Sequence, residues 1–87
     1  TAATLQVRFA EISEKTDVID IKDAVYDGDI VIADITRHTT TDRTMEQIID
    51  ELKQVANEVG GDIVQKEDDQ IVIAPGGVGI SRSKLGR

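Results

Sequence analysis

Cysteine, tryptophan and nearly all histidine are missing from this chain, and each absence removes a class of function. The 87 residues contain no Cys, no Trp, one His, one Phe and one Tyr. Without Cys the chain forms no disulfide, no thiolate metal site and no Cys nucleophile. A single His is too few for a multi-His metal site. We therefore expect one small domain with a core of Ile, Val, Leu and Ala.

Basic charge is also scarce. Seventeen acidic residues stand against ten basic ones, which gives a net charge of −7. An acidic surface repels phosphate backbones and anionic lipids, so we expect no nucleic-acid partner. Eleven of the acidic residues are Asp, a bias that fits a halophilic surface and an ordinary acidic domain equally well.

Long apolar runs are absent as well. No segment approaches the roughly 20 apolar residues of a membrane-spanning helix. The chain begins at Thr1 rather than Met, so we expect it to be a fragment whose preceding segment carries a separate function. We interpret residues 1–87 as one domain with a flexible polar tail over residues 82–87.

Alternating strand and helix patterns fill the rest of the sequence. The clearest is a helix whose apolar residues recur at i, i+3 and i+4 from Met45 to Val59, before Gly60-Gly61 ends it. The patterns predict strands over 5–12, 30–33, 62–67, 70–74 and 78–81, and helices over 17–27 and 41–59. This β-α-β-α-β-β-β order predicts a two-layer α/β sandwich with a mixed sheet, two helices and a tight hairpin at Asp68-Asp69.

The predicted sheet has apolar side chains on both of its faces. Alternation along a strand places Ile71 and Ile73 on one face and Val72 on the other. If both helices cover one face, a second copy of the domain is the simplest cover for the other, since two-fold dimers are the commonest oligomers. The alternative is one helix on each face. We predict a homodimer, with sheet-face residues Ile63, Val64, Val72 and Ala74.

Candidate chemical sites are weaker. The glycine-rich segment Pro75–Gly79 precedes a predicted strand rather than a helix, which favours a turn over a phosphate loop. Arg37, His38 and the threonines 39–41 form a loop that could bind an anion or simply be solvated. A set of dense aspartates could hold Mg²⁺ or form a solvated acidic surface, with Asp34 near a strand end where α/β sites tend to lie: Asp20, Asp23, Asp27, Asp29 and Asp34. Because no acid, base and nucleophile are arranged together, we predict no enzyme, no metal and no cofactor.

Three segments carry a resemblance to a known family. They are IKDAVYDGDIVIADI (Ile21–Ile35), IIDELKQVANEV (Ile48–Val59) and GGDIVQKEDDQIVIAP (Gly60–Pro75). In combination they resemble SepF, the FtsZ-binding cell-division proteins, and especially the archaeal form, from about Val7 to Ile80. The resemblance implies a compact cytoplasmic α/β homodimer that binds the C-terminal peptide of FtsZ. It further implies that this protein anchors the FtsZ ring at the division site, reaching the membrane through an N-terminal segment absent from this chain.

The resemblance also implies a region for the peptide, on the hairpin strands and in a groove near the dimer interface. The residues we expect there are Gln65, Lys66, Ile71 and Ile73. Lys66 would meet an acidic peptide, and plain sheet packing is the alternative role for Ile73. Bacterial members carry an extra stretch before the Gly-Gly turn, whereas here Val59 runs straight into Gly60. Ring-forming polymerisation of the bacterial kind is therefore not implied.

Two other functions remain open from the residues alone. One is a small regulatory domain whose dimer groove binds a small molecule, which predicts stabilisation by a metabolite. The other is an enzyme that uses Asp34 and Mg²⁺, which predicts a metal affinity that Asp34→Asn would change.

Overall fold

A computed structural model describes residues 4–36, 40–67 and 69–86 of the chain. A short 3₁₀ turn over Lys15–Asp17 precedes the first helix. The elements are β1 (Val7–Ile12), α1 (Val18–Tyr26), β2 (Ile30–Ile35), α2 (Asp42–Val59), β3 (Asp62–Lys66) and β4 (Gln70–Ala74). The predicted α/β fold with two helices and a mixed sheet is confirmed, and the bounds of these elements are either unchanged or shifted by one or two residues.

The four strands form one sheet in the order β1-β2-β4-β3. β1 and β2 are parallel, while β4 is antiparallel to both β2 and β3. Helix α2 therefore carries the chain from β2 to a strand of the same direction, with β4 inserted between the two. This arrangement is a split β-α-β unit.

Both helices lie on the same face of the sheet. Strand residues that point to one side share a single core with the inward stripe of each helix. The fully buried large side chains of this core are Ile12, Val25, Val31, Ile48, Leu52, Ile71 and Ile73. The alternative of one helix on each face is therefore wrong, and neither α1 nor α2 lies over the opposite face of the sheet.

Local signals place the ends of α2. The Thr44 amide donates to Thr41 Oγ1 at 3.1 Å, which caps the first turn. Gly60 ends the helix in the left-handed conformation at φ 71°, which favours glycine. Gly61 follows, and a Cβ on it would collide with the Ala74 carbonyl oxygen. The Gly-Gly pair thus lets β3 start directly beside β4.

The predicted fifth strand over residues 78–81 is wrong. The Ile80 amide donates to a carboxylate oxygen of Asp62 at 2.9 Å instead of joining a backbone ladder. The hairpin is confirmed as the connection of β3 and β4, which pair from Asp62 to Lys66. Its loop spans residues 67–69, of which Asp68 lies outside the described residues.

Candidate functional site

The face of the sheet opposite the helices, here called the open face, carries an unbroken line of apolar side chains. Phe9 is paired with Ile32, Ile32 with Val72, and Val72 with Val64. Side chains that are paired across adjacent strands stand close together on one face. These four residues, here called the apolar row, therefore cross all four strands.

The apolar row is left in contact with solvent. Phe9 is 80% exposed and its neighbour Val7 is 51% exposed. Ile32, Val64 and Val72 are half-buried, although no helix lies above them. Contiguous exposed apolar surface of this kind marks an interaction site.

A polar row borders the apolar row on one side. Glu11 is paired with Asp34, Asp34 with Gln70, and Gln70 with Lys66. The Gln70 side-chain amide donates to Asp34 Oδ1 at 3.2 Å. An apolar centre with a polar rim is the usual anatomy of a protein–protein interface.

An aspartate–arginine ion pair lies at the other end of the open face, at the start of β3. Both guanidinium nitrogens of Arg82 donate to the Asp62 carboxylate, Nη2 to Oδ1 at 2.9 Å and Nη1 to Oδ2. The amides of Ile80 and Ile63 donate to the same carboxylate, each at 2.9 Å. The Arg82 hydrogen bonds, followed by that from Ile80, lower the pKa of Asp62 well below its usual range. The segment after Gly79 is thereby attached to the start of β3.

The predicted dimer residues divide between the two faces. Val64 and Val72 belong to the apolar row. Ile63 points to the helix side, where it packs against the core. Ala74 shares the side of Val72 but is 0% exposed, next to its register partner Asp62. Of the four predicted residues, Val64 and Val72 are available on the open face.

The four residues predicted for the peptide do not form one surface. Ile71 and Ile73 are 0% exposed beneath the helices, so a partner cannot reach them in this fold. Sheet packing, the alternative stated for Ile73, accounts for both. Gln65 and Lys66 are exposed, but alternation directs Gln65 to the helix side and Lys66 to the open face.

The other chemical candidates gain no support as sites. Among the described residues no group of three or more His, Asp or Glu side chains is placed to hold a metal ion. The glycine-rich segment is a turn, as predicted, in which the Val78 amide donates to the Pro75 carbonyl at 3.2 Å. Arg37, His38 and Thr39 lie outside the described residues. None of the helices in the described part of the chain is long and apolar enough to cross a membrane.

Sequence reasoning missed two features of the open face. One is Arg82, which was assigned to a flexible tail but binds Asp62. The other is the exposure of Phe9, the single phenylalanine of the chain, since the strand pattern does not say which face a helix covers. The alternating strand pattern around Phe9 was a signal for its exposure, whereas no local pattern indicated the contact of Arg82 with Asp62.

These features define a class: a small α/β domain with an exposed apolar sheet face and polar rims. Comparisons with known proteins identify the family. Residues 7–80 match the family described as Cell division protein SepF. The chain belongs to the SepF family of cell-division proteins, which are adaptors rather than enzymes.

Individual relatives agree with this assignment. The chain is 71% identical over 83 residues to Cell division protein SepF of Haloferax volcanii, a match that covers 95% of this chain and 70% of the relative. A solved SepF-like protein from Archaeoglobus fulgidus is 34% identical with a TM-score of 0.87, over 94% of this chain and 99% of that one.

A third comparison concerns a complex. The structure described as Cell division protein SepF from Methanobrevibacter smithii in complex with FtsZ-CTD has a TM-score of 0.72 at 19% identity. It covers 90% of this chain and 99% of that one. At this identity the likeness shows a shared fold.

Proposed function

We propose that this domain is a homodimeric adaptor that binds the C-terminal peptide of FtsZ and links the FtsZ ring to the membrane at the division site. The observation that carries the proposal is the apolar row, an exposed apolar surface on a domain of the SepF family. A relative of the same fold is described in complex with FtsZ-CTD, which names the peptide partner.

The open face fits a second copy of the same face. A two-fold axis near the centre of the apolar row would bring Phe9, Ile32, Val64 and Val72 of each copy together. The bordering polar row holds both acidic Glu11 and basic Lys66, at its opposite ends, so charges can pair across the axis. Burial of one Phe side chain stabilises an interface by about 1.5–3 kcal/mol, and each copy contributes one.

The FtsZ peptide is assigned to the exposed end of β3. Gln65 and Lys66 are consecutive and both exposed there. Lys66 stands at the end of the polar row, so it lies at the rim of the proposed dimer rather than at its centre. A peptide with acidic residues would pair with Lys66, while the buried Ile71 and Ile73 hold the strands that position it.

Titration with the FtsZ C-terminal peptide tests this assignment. Isothermal calorimetry should show saturable binding, and Lys66→Glu should weaken it about two- to five-fold, the range for a partly screened ion pair. Lys53→Glu is the control because Lys53 is an exposed lysine on α2. Absence of any heat or amide shift with the unchanged domain would contradict FtsZ binding, and an equal loss in both variants would contradict the role of Lys66.

The membrane link is proposed through a segment that precedes the domain. The net charge of −7 disfavours direct contact of the domain with anionic lipids. Flotation with anionic vesicles should therefore leave this chain in solution, while a longer chain with the preceding segment should float and carry FtsZ with it. Flotation of the 87-residue chain alone would contradict this arrangement.

A further inference from the structure

The two edge strands of the sheet, β1 and β3, differ in what lies beside their outer edges. Along β3, the carbonyl of Ile63 accepts a hydrogen bond from Arg82 Nη2 at 3.1 Å. The segment that contains Ile80 and Arg82 is bound beside this strand. No corresponding segment in the described part of the chain accompanies β1. Edge strands left bare in this way are templates for an added strand.

Two hydrogen bonds establish which backbone groups of β1 face outward. The Ile30 amide donates to the Gln6 carbonyl, and the Thr36 amide donates to the Ile12 carbonyl, both at 2.8 Å. In a parallel pair, alternate residues direct their backbone groups to the neighbouring strand. The even-numbered residues of β1 therefore face β2. The N–H and C=O groups of Val7, Phe9 and Glu11 point to the outer edge, and no hydrogen bond to them is found within residues 4–36, 40–67 and 69–86.

A groove of about 410 Å³ runs between this edge and α1. Four consecutive β1 residues, Arg8–Glu11, form one wall, as expected if the strand edge itself lines the groove. Ile21, Ala24 and Val31 contribute apolar surface at its base. The groove thus joins a row of unused backbone groups to the side of a helix, which is the geometry of strand addition beside a helix.

The helix wall of the groove is acidic. Asp20 and Asp23 of α1 and Asp27, directly after the helix, line it at a helical spacing that places all three on one side. Their carboxylates are exposed and have no ion-pair partner among the described residues. Arg8, the single basic residue of the lining, lies 3.5 Å from Asp29 in an ion pair. The electrostatic potential in the groove is therefore negative.

We propose that the β1 edge is a second docking site, which binds an extended segment of a partner protein in which basic residues alternate with aliphatic ones. In an added strand, successive side chains point to opposite faces. The basic residues would face Asp20, Asp23 and Asp27, and the aliphatic ones would lie beside Val7 and Phe9 on the open face. A second copy of this chain does not fit, because it would bring its own acidic α1 against the same acidic wall.

A synthetic peptide of four Lys-Val repeats, blocked at both ends, is the probe. Titrated into the ¹⁵N-labelled domain at low ionic strength, it should shift the amides of Val7, Phe9 and Glu11 more than those of Arg8 and Ala10. The triple variant Asp20→Asn, Asp23→Asn, Asp27→Asn should lose about five- to ten-fold in affinity, as three exposed ion pairs predict. The triple control Glu46→Gln, Asp50→Asn, Asp69→Asn removes the same charge elsewhere and should lose less than two-fold.

A second pair of variants isolates the backbone hydrogen bonds. Val7→Pro removes an outward N–H without removing a bond to β2, and proline is tolerated at the first residue of a strand. Val7→Thr keeps the N–H and nearly the same side-chain shape, and neither variant alters the apolar row. The peptide should bind the Thr variant and fail to bind the Pro variant; if the Pro variant is unfolded, the probe with N-methylated valines should fail to bind the unchanged domain. Equal losses in both triple variants, unmoved edge amides, or undiminished binding by the N-methylated probe would overturn the proposal, whatever the result with FtsZ.

Discussion

The covered and open faces of the sheet are built from the same residue types but differ in what they contact. On β4, Ile71 and Ile73 point to the helices and are 0% exposed, whereas Val72 between them points away and is half-buried. On β1, Ile12 is buried while Phe9 is 80% exposed. The difference teaches that apolar content alone does not distinguish the core of this domain from its exposed sheet face.

What distinguishes the faces is the placement of two helices. An 87-residue chain is small enough that its core is thin, and α1 and α2 together cover one face of a four-stranded sheet. The apolar row therefore lies outside the core of a single copy. Its apolar residues fit the homodimer proposed above, and substitutions on the two faces test that assembly.

Phe9→Asp should have the largest effect, and it should act on assembly. Loss of a buried Phe from each copy would weaken a dimer by about 3–6 kcal/mol, twice the value for one Phe, or roughly 10²- to 10⁴-fold in Kd. Light scattering after gel filtration should show about twice the 9.5 kDa chain mass for the unchanged domain and a monomer for the variant. Ile19→Asp is the control, because Ile19 is an exposed apolar residue on α1. A monomeric unchanged domain would contradict the dimer.

Ile73→Ala should lower the free energy of unfolding by about 2–5 kcal/mol, the range for removal of a large buried aliphatic side chain. Val72→Ala, its neighbour on the open face, should cost less than about 1 kcal/mol when the protein is dilute. Urea unfolding measures both. The cost of Val72→Ala should rise with protein concentration, because only the dimer buries that side chain. Equal costs at all concentrations would contradict the distinction between the faces.

Thr41→Ala should remove the cap of α2 and cost about 1 kcal/mol of stability. The Thr44 amide loses its acceptor, so the helix that covers the core is weakened while the open face is untouched. Thr16→Ala, at an exposed threonine, should cost less. Thermal unfolding reports the loss, and light scattering should show an unchanged dimer. A change in oligomeric state with Thr41→Ala would contradict the independence of the two faces.

Asp62→Asn should have the smallest effect, and the effect should depend on pH. The pKa of Asp62 is lowered in the folded state, so the ionised carboxylate stabilises the fold above its ordinary pKa of about 3.9. That contribution is lost as the pH falls below this value towards the folded-state pKa. The difference in melting temperature between the variant and the unchanged domain should therefore be largest near pH 7 and should shrink as the pH falls from about 4 towards 2. Asp50→Asn, which leaves Arg82 untouched, should show no such convergence.

Much of the fold follows from local sequence patterns. The stripe from Met45 to Val59, ended by Gly60-Gly61, predicts α2, and the alternating hairpin strands predict β3 and β4. These patterns succeed because they record which side of an element is buried. The strand prediction for residues 78–81 failed because Val78 and Ile80 alternate as in a strand. In the structure the Ile80 amide donates a hydrogen bond to the carboxylate of Asp62 instead.

The candidate site was less predictable than the fold. Val64 and Val72 were placed on the sheet face, but Ile63 was assigned to the same surface although it packs against the core. Ile71 and Ile73 were expected at a peptide site and are buried. Strand periodicity separates two faces without saying which one a helix covers, so a set drawn from both sides of a strand could not form one surface.

The sequence by itself determined the acidic charge, the types and order of the helices and strands, and the resemblance to the SepF family. These depend on composition and on patterns within 10 to 20 neighbouring residues. Only the tertiary structure decided that both helices share one face, that Arg82 binds Asp62 at one end of the open face, and that no strand within residues 4–36, 40–67 and 69–86 pairs with the outer edge of β1. Each of these features depends on how residues far apart in the chain are placed relative to one another. That placement is set by the packing of whole elements rather than by any local pattern.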